Sequence, residues 1–261
     1  MPVFKDHAPG TFCYIELATS DQQAAGDFYT RIFGWNRRDE DTGEFGIYTQ
    51  FLHQGEVSAA MYRITPDQEK QGVRPNWAQY IAVADVDATT EQARSLGGHV
   101  VMSPMDVYDY GRLSVLADPA GAAFCLWQTK ARCGVGIRNE VGTMCWNELL
   151  TTDVAKVSGF YGQLLGWSPH TSDMAGREYT VAYNDGLATA GMMAVSPDLG
   201  DTPAQWLTYF AVDDCDGTAE TTVGLGGRVV VAPRDLPNVG RFAVLADPQN
   251  ALFGVVRMLS R

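Results

Sequence analysis

The sequence predicts an α+β protein made of two tandem copies of one domain, residues 1–132 and 133–261. Three observations predict it. The stretch Thr11–Trp35, TFCYIELATSDQQAAGDFYTRIFGW, returns at Thr143–Trp167 as TMCWNELLTTDVAKVSGFYGQLLGW. In it Glu16 answers Glu148, Asp21 answers Asp153, and Gly34-Trp35 answers Gly166-Trp167. Further on, WAQYIAVADVD (77–87), LGGHVVMSPMD (96–106) and GRLSVLADPAGAAF (111–124) return as WLTYFAVDDCD (206–216), LGGRVVVAPRD (225–235) and GRFAVLADPQNALF (240–253). Within each copy the apolar period switches between two and 3.6 residues, so strands and helices alternate. A copy of about 130 residues is large enough to bury its own core.

The elements follow in order. Phe12–Ala18 alternates, with Cys13, Ile15 and Leu17 on one face and Tyr14 and Glu16 on the other, as a half-covered strand requires. Ser20 or Asp21 offers a side-chain oxygen to the free N–H groups of a helix. Ala24, Ala25, Phe28, Ile32 and Phe33 fall at helical spacing, and Gly34 can end that helix in a left-handed conformation. Residues 45–52 and 57–62 read as strands around a turn at His53–Glu56. A polar loop holding Pro66 and Pro75 leads to a strand over 77–84 and a helix over 86–96, stopped by Gly97-Gly98. Strands over 99–102, 112–117 and 122–128 complete the copy, the last two joined by the tight turn Asp118-Pro119-Ala120-Gly121. A strand, a helix and further strands thus follow one another twice over, and the second copy repeats the order. Lys130–Gly142, with three glycines and little periodicity, reads as the linker.

Composition narrows the function. Nineteen basic against thirty-one acidic side chains give a net charge of −12 with no basic cluster, so a phosphate backbone would be repelled and nucleic acid is not the expected partner. No run approaches the roughly 18 to 20 apolar residues that span a bilayer, and the N-terminus MPVFKDHAPG lacks the basic start and apolar run of a secretory signal. The expected location is the cytoplasm. Five cysteines, odd in number and without CxxC spacing, suggest reduced thiols.

The pattern strand–SD–helix–FYxxxFGW, a strand ending in AVADVD, a Gly-Gly stop and a closing DPxG turn resembles the vicinal oxygen chelate superfamily of glyoxalases, bleomycin-resistance proteins and extradiol dioxygenases. In detail it is similar to the actinobacterial two-domain glyoxalase-like proteins, a group that includes a mycobacterial culture-filtrate antigen and antibiotic-cluster proteins labelled "hydroxylase". The resemblance covers each half once. It implies paired βαβββ modules whose mixed sheets curl into a cup around a metal or a small ligand. The metal positions of that superfamily fall here on Tyr14 and Trp146, on Ala78 and Leu207, and on Cys125 and Gly254. Zinc, iron and nickel favour imidazole, carboxylate or thiolate donors, and only Cys125 could supply one, so no metal or other cofactor is expected.

Strand parity places Tyr14, Glu16, Ala78, Tyr80, Ala82, Ala123, Cys125 and Trp127 on the face of those positions in the first half, and Trp146, Glu148, Leu207, Tyr209, Ala211, Leu252, Gly254 and Val256 in the second. Aromatic rings beside small residues suit a flat, aromatic or hydrophobic ligand. Tyr14, Tyr80, Trp127, Trp146 and Tyr209 are the candidate ligand-binding residues, although core packing is the commoner role for any one such ring. Glu16 and Glu148 need a partner or a raised pKa, and are candidate acid–base groups or one end of a structural pair with Arg112, Arg241 or another group. Tyr108, Arg112 and Arg241 belong to loops that could close the mouths. An Asp106–Arg112 brace, repeated as Asp235–Arg241, is the alternative to oxygen binding by these arginines. Two functions follow: sequestration or accessory handling of an aromatic metabolite, or metal-independent lyase, isomerase or oxygenase chemistry with a glutamate base. A homodimer stays open.

Overall fold

The computed structural model describes residues 3–43, 46–195 and 202–259. The first half runs β1 (Phe12–Thr19), α1 (Gln22–Phe33), β2 (Asn36–Asp41), β3 (Ile47–His53), β4 (Glu56–Arg63), α2 (Pro66–Lys70), β5 (Asn76–Ala82), α3 (Val86–Ser95), β6 (His99–Val107), β7 (Gly111–Ala117) and β8 (Ala123–Thr129). The second runs β9 (Met144–Thr151), α4 (Val154–Leu165), β10 (Ser168–Met174), β11 (Arg177–Asn184), β12 (Leu187–Ala194), β13 (Gln205–Ala211), α5 (Cys215–Gly224), β14 (Arg228–Leu236), β15 (Gly240–Ala246) and β16 (Leu252–Met258). Each half makes one eight-stranded mixed sheet, ordered β2-β3-β4-β1-β5-β8-β7-β6 and β10-β11-β12-β9-β13-β16-β15-β14. The βαβββ modules therefore pair within a half, through antiparallel β1–β5 and β9–β13.

The local chemistry follows the sequence at the helix ends. Asp21 and Asp153 accept from the N–H of Ala24 and Lys156, and Gly34 and Gly166 close α1 and α4 at φ 69° and 74°. The turn between β3 and β4 puts Gln54 and Gly55 both at positive φ, the geometry of a tight hairpin.

Several elements differ from expectation. Strands β2 and β10 follow each Gly-Trp but are polar and almost wholly exposed, so they carry no apolar period and are recognised only by their pairing. Strand β6 runs on to Val107, past Pro104. Proline is tolerated there because β6 is an edge strand, bulged at Val100–Met105. The loop around Pro66 holds the short helix α2, capped by Thr65 and Gln68. In β1 a bulge between Phe12 and Tyr14 turns Cys13 away from Ile15 and Leu17 and toward Tyr80 and Cys125. Phe45, the expected start of the strand over 45–52, lies outside the described residues.

The two halves share one core. Helix α1 lies against the second half, where the Phe33 ring sits 4.5 Å from Phe210 and Tyr29 5.6 Å from Phe253. Tyr29 donates to Asp247 at 3.0 Å, and its counterpart Tyr161 donates to Asp118 at 3.2 Å, each crossing to the other half's Asp-Pro turn. The indole of Trp35 donates to the Gly142 carbonyl at 2.7 Å, and that of Trp167 to the Gly10 carbonyl at 2.8 Å. Gly10 and Gly142 each precede a first strand at φ near 80° (80° and 81°), the left-handed region open to glycine. The linker is no free tether: Val135 and Ile137 are buried, and Val135 and Gly136 donate to Cys13 and Val57 of the first half. Among the described residues no helix is long and apolar enough to cross a membrane.

Candidate functional site

Each curled sheet encloses a cavity, of about 690 Å³ in the first half and about 780 Å³ in the second. At the floor of the first, Glu16 on β1 pairs across to Ala78 on β5 and to Ala60 on β4, so small neighbours leave its carboxylate room. Both its oxygens are taken: Tyr48 donates to one at 2.6 Å and Tyr80 to the other at 2.8 Å. Tyr14 stands 3.1 Å from the Tyr48 hydroxyl. Because Tyr48 has spent its single proton on Glu16, Tyr14 is the donor in that contact. Burial raises the Glu16 pKa above the ordinary carboxylate range, and the two phenol hydrogen bonds oppose this in part. Burial, and next the Glu16 charge, holds the Tyr48 and Tyr80 pKa values far above theirs, so both phenols remain donors.

The second cavity repeats the floor. Tyr179 donates to Glu148 at 2.9 Å and Tyr209 at 3.2 Å, and burial again raises the carboxyl's pKa. The difference lies in the outer member. Trp146 replaces Tyr14 and donates its indole N–H to Tyr179 at 2.9 Å. Gly191 and Gly254 make room for these rings, since a Cβ on either would meet Tyr179 or Tyr209 at 1.8 and 2.2 Å.

The residues singled out in the sequence thus separate into three groups. Tyr14, Glu16, Tyr80, Trp127 and Tyr108 come together around the first cavity. Trp146, Glu148 and Tyr209 come together around the second. Arg112 and Arg241 line neither. Arg112 is bonded to Asp87 through two nitrogens at 2.6 and 2.8 Å and to Asp106 at 3.2 Å, and Arg241 repeats this with Asp216 and Asp235. These forks tie the first turns of α3 and α5 to the β6 and β14 edges, and leave neither arginine to Glu16 or Glu148.

Tyr48 and Tyr179 were not foreseen, yet the repeat marks them: Tyr48-Thr49 and Tyr179-Thr180 precede matching hairpins. At the mouth of the first cavity the sequence pointed to the loop that carries Tyr108 but not to its partners Glu40 and Arg132. Tyr110 donates to Glu40 at 2.9 Å, Arg132 pairs with Glu40 at 3.2 Å, and its guanidinium lies 3.5 Å above the Tyr110 ring. The Tyr110 hydrogen bond, opposed by desolvation and helped by Arg132, pulls the Glu40 pKa down. Tyr108, held at positive φ, reaches the Thr42 carbonyl. Edge strand β2 and the β6–β7 turn are thereby latched across the first cup, while the second has Pro237 and Asn238 at that turn.

The donors at the superfamily metal positions do not fit a metal. The Tyr14 hydroxyl is committed to Tyr48, Ala78 and Leu207 offer no donor, and no side chain could enter at Gly254 without displacing Tyr209. Cys125 is buried, and burial pushes its thiol far above the usual range. Among the described residues no three His, Cys, Asp or Glu side chains converge.

Comparison with known proteins agrees with this architecture. The family profile of the Glyoxalase/Bleomycin resistance protein/Dioxygenase superfamily matches residues 11–126, and that of the Glyoxalase-like domain matches residues 144–256. The chain is 40% identical over 259 residues to the protein CFP32 of Mycobacterium tuberculosis, covering 98% of each. It is 36% identical over 264 residues to the anthracycline biosynthesis protein DnrV of Streptomyces peucetius, covering 96% of this chain and 94% of that one. Among solved structures, the Mn(II)-bound glyoxalase from Novosphingobium aromaticivorans superposes with a TM-score of 0.65 at 15% identity, covering 97% and 83% of the two chains. The 2,2',3-trihydroxybiphenyl 1,2-dioxygenase of Sphingomonas wittichii gives 0.64 at 14%, covering 97% and 93%. With both halves matched and full-length relatives at this identity, the chain belongs to the glyoxalase/bleomycin resistance protein/dioxygenase superfamily.

Proposed function

We propose that this protein binds a flat aromatic metabolite in its cups, in a sequestering or accessory biosynthetic role. The observation that carries this reading is the repeated floor, a single glutamate, half-buried in the first cup and buried in the second, held by two phenols under aromatic walls. Tyr14 and Tyr80 stand edge to face at 5.8 Å, and Tyr80 and Trp127 at 6.3 Å, leaving ring faces for stacking. Volumes of about 690 and 780 Å³ are those of small-molecule pockets. Each oxygen of Glu16 and Glu148 accepts one phenol and keeps a second lone pair, which would accept a ligand hydroxyl. The relative described as an anthracycline biosynthesis protein suggests a planar polycyclic hydroxyquinone as the class.

A second reading, metal-independent catalysis with Glu16 as general base, is favoured by one difference between the cups. The run Tyr14–Tyr48–Glu16 consists of groups that both donate and accept, so it can pass a proton. Trp146 can only donate, so the second run cannot. Calorimetric titration with 1,8-dihydroxyanthraquinone tests the binding reading, and absence of any heat of binding would contradict it. Retention of full turnover by Glu16→Gln, on any substrate found, would remove the acid–base role.

A further inference from the structure

We infer that the first cup carries an oxyanion-recognition site, made by Arg38 and Gln50, for an anionic oxygen on the edge of the aromatic ligand. This rests on the binding reading above and assigns one end of the ligand.

The register places the site. Arg38 on β2 pairs with Gln50 on β3, Gln50 with Ala60 on β4, and Ala60 with Glu16 on β1. These residues form one row across the sheet, and Arg38, Gln50 and Glu16 all line the cavity. Gln50 is only 4% exposed. Its side-chain oxygen accepts from Arg38 through both Nε and Nη2, which fixes the amide so that its NH₂ group is the free end. That NH₂ makes no hydrogen bond among the described residues and is open to the cavity rather than sealed in the core, so an acceptor on a ligand can reach it. Arg38 has further N–H groups to spare and no carboxylate in ion-pair contact among the described residues. The pair therefore offers donors alone, on a fork that suits a carboxylate or phenolate oxygen.

No acid of this cup is in ion-pair contact with Arg38 among the described residues, although the Arg38 charge adds to the pull on the Glu40 pKa. Glu40 is taken by Arg132 and Tyr110, Asp106 by Arg112 and Lys130, and Glu16 by its phenols. Glu56 lies against Gly136 of the linker. The corresponding row of the second half is His170–Val181–Gly191–Glu148, where the donor pair is gone and the glutamate remains. A ligand in the first cup thus meets an acceptor at Glu16 and donors at Arg38–Gln50, an end-to-end polarity.

The test uses anthraquinone-2-carboxylate and its methyl ester, read by quenching of Trp127 in a Trp146→Phe background. The acid should bind the first cup more tightly than the ester. Arg38→Met and Gln50→Val, the latter copying Val181, should each weaken the acid roughly tenfold and leave the ester unchanged. The factor is set low because Arg38 is exposed at the rim. If acid and ester bind equally and neither variant discriminates, the inference is overturned while the binding reading stands. If neither probe quenches the parent protein, both fall. Should Gln50→Val unfold, Arg38→Met on the exposed edge strand still decides.

Discussion

Tyr48 donates its phenol proton to Glu16 across 2.6 Å from a strand not adjacent to that of the carboxylate, and Tyr179 serves Glu148 in the same way at 2.9 Å. This relationship sets a pH dependence. Burial raises both glutamates above the ordinary carboxylate value of 4.5. A raised folded-state pKa means tighter proton binding in the native protein, so its stabilisation is complete in acid and is lost as pH rises through the raised values. The stability advantage of the parent over Glu16→Gln/Glu148→Gln should shrink as pH increases from 4.5 toward neutrality. Urea unfolding of both proteins across that range checks it, and a pH-independent difference would show that the carboxyls are not shifted.

The cross-half hydrogen bonds predict a stability loss without a change of fold. Tyr29 receives the Trp77 indole at 3.0 Å and passes its own proton to the buried Asp247. Tyr29→Phe leaves that indole and one carboxylate oxygen short of a partner, at a cost of about 1–3 kcal/mol. Tyr161→Phe should cost a similar amount through Trp206 and Asp118. Denaturant midpoints measure both.

The glycines of the second cup predict a local effect. Ala60 is tolerated beside Glu16, whereas a Cβ at the matching Gly191 would fall 1.8 Å from the Tyr179 hydroxyl. Gly191→Ala should displace Tyr179 from Glu148 and weaken ligand in the second cup alone. Trp146 quenching, compared with Trp127 quenching, separates the two cups.

The first sheet ends at Thr129 and the second begins at Met144, but the core is continuous across that gap. Fragments 1–132 and 133–261 should each lack cooperative unfolding, because α1 and α4 bury their aromatic faces against the opposite half. Mixed, they should regain it, as monitored by near-ultraviolet circular dichroism. Cooperative unfolding of either fragment alone would contradict the shared core.

The fold was legible because its signals are local and doubled. Helix caps, Gly-Trp corners and Asp-Pro turns recur in both halves, and strand parity put Tyr14, Glu16, Tyr80 and Trp127 on one face. What escaped depends on pairing rather than pattern. Arg38 sits in the polar run of β2, which has no apolar period, and becomes a cavity residue only through its register with Gln50. Cys13 looked aligned with Ile15 until the bulge turned it. Arg112 seemed free for Glu16 because nothing in the chain shows that the first turn of α3 brings Asp87 to it.

The central claim is that aromatic ligand occupies these cups above Glu16 and Glu148. Tryptophan quenching by 1,8-dihydroxyanthraquinone tests it most directly, since Trp127 and Trp146 line the cavities while Trp35, Trp77, Trp167 and Trp206 are buried in the shared core. Saturable quenching that is lost in Trp127→Phe/Trp146→Phe is the predicted result. Quenching that does not saturate, or that survives in the double variant, would contradict the account.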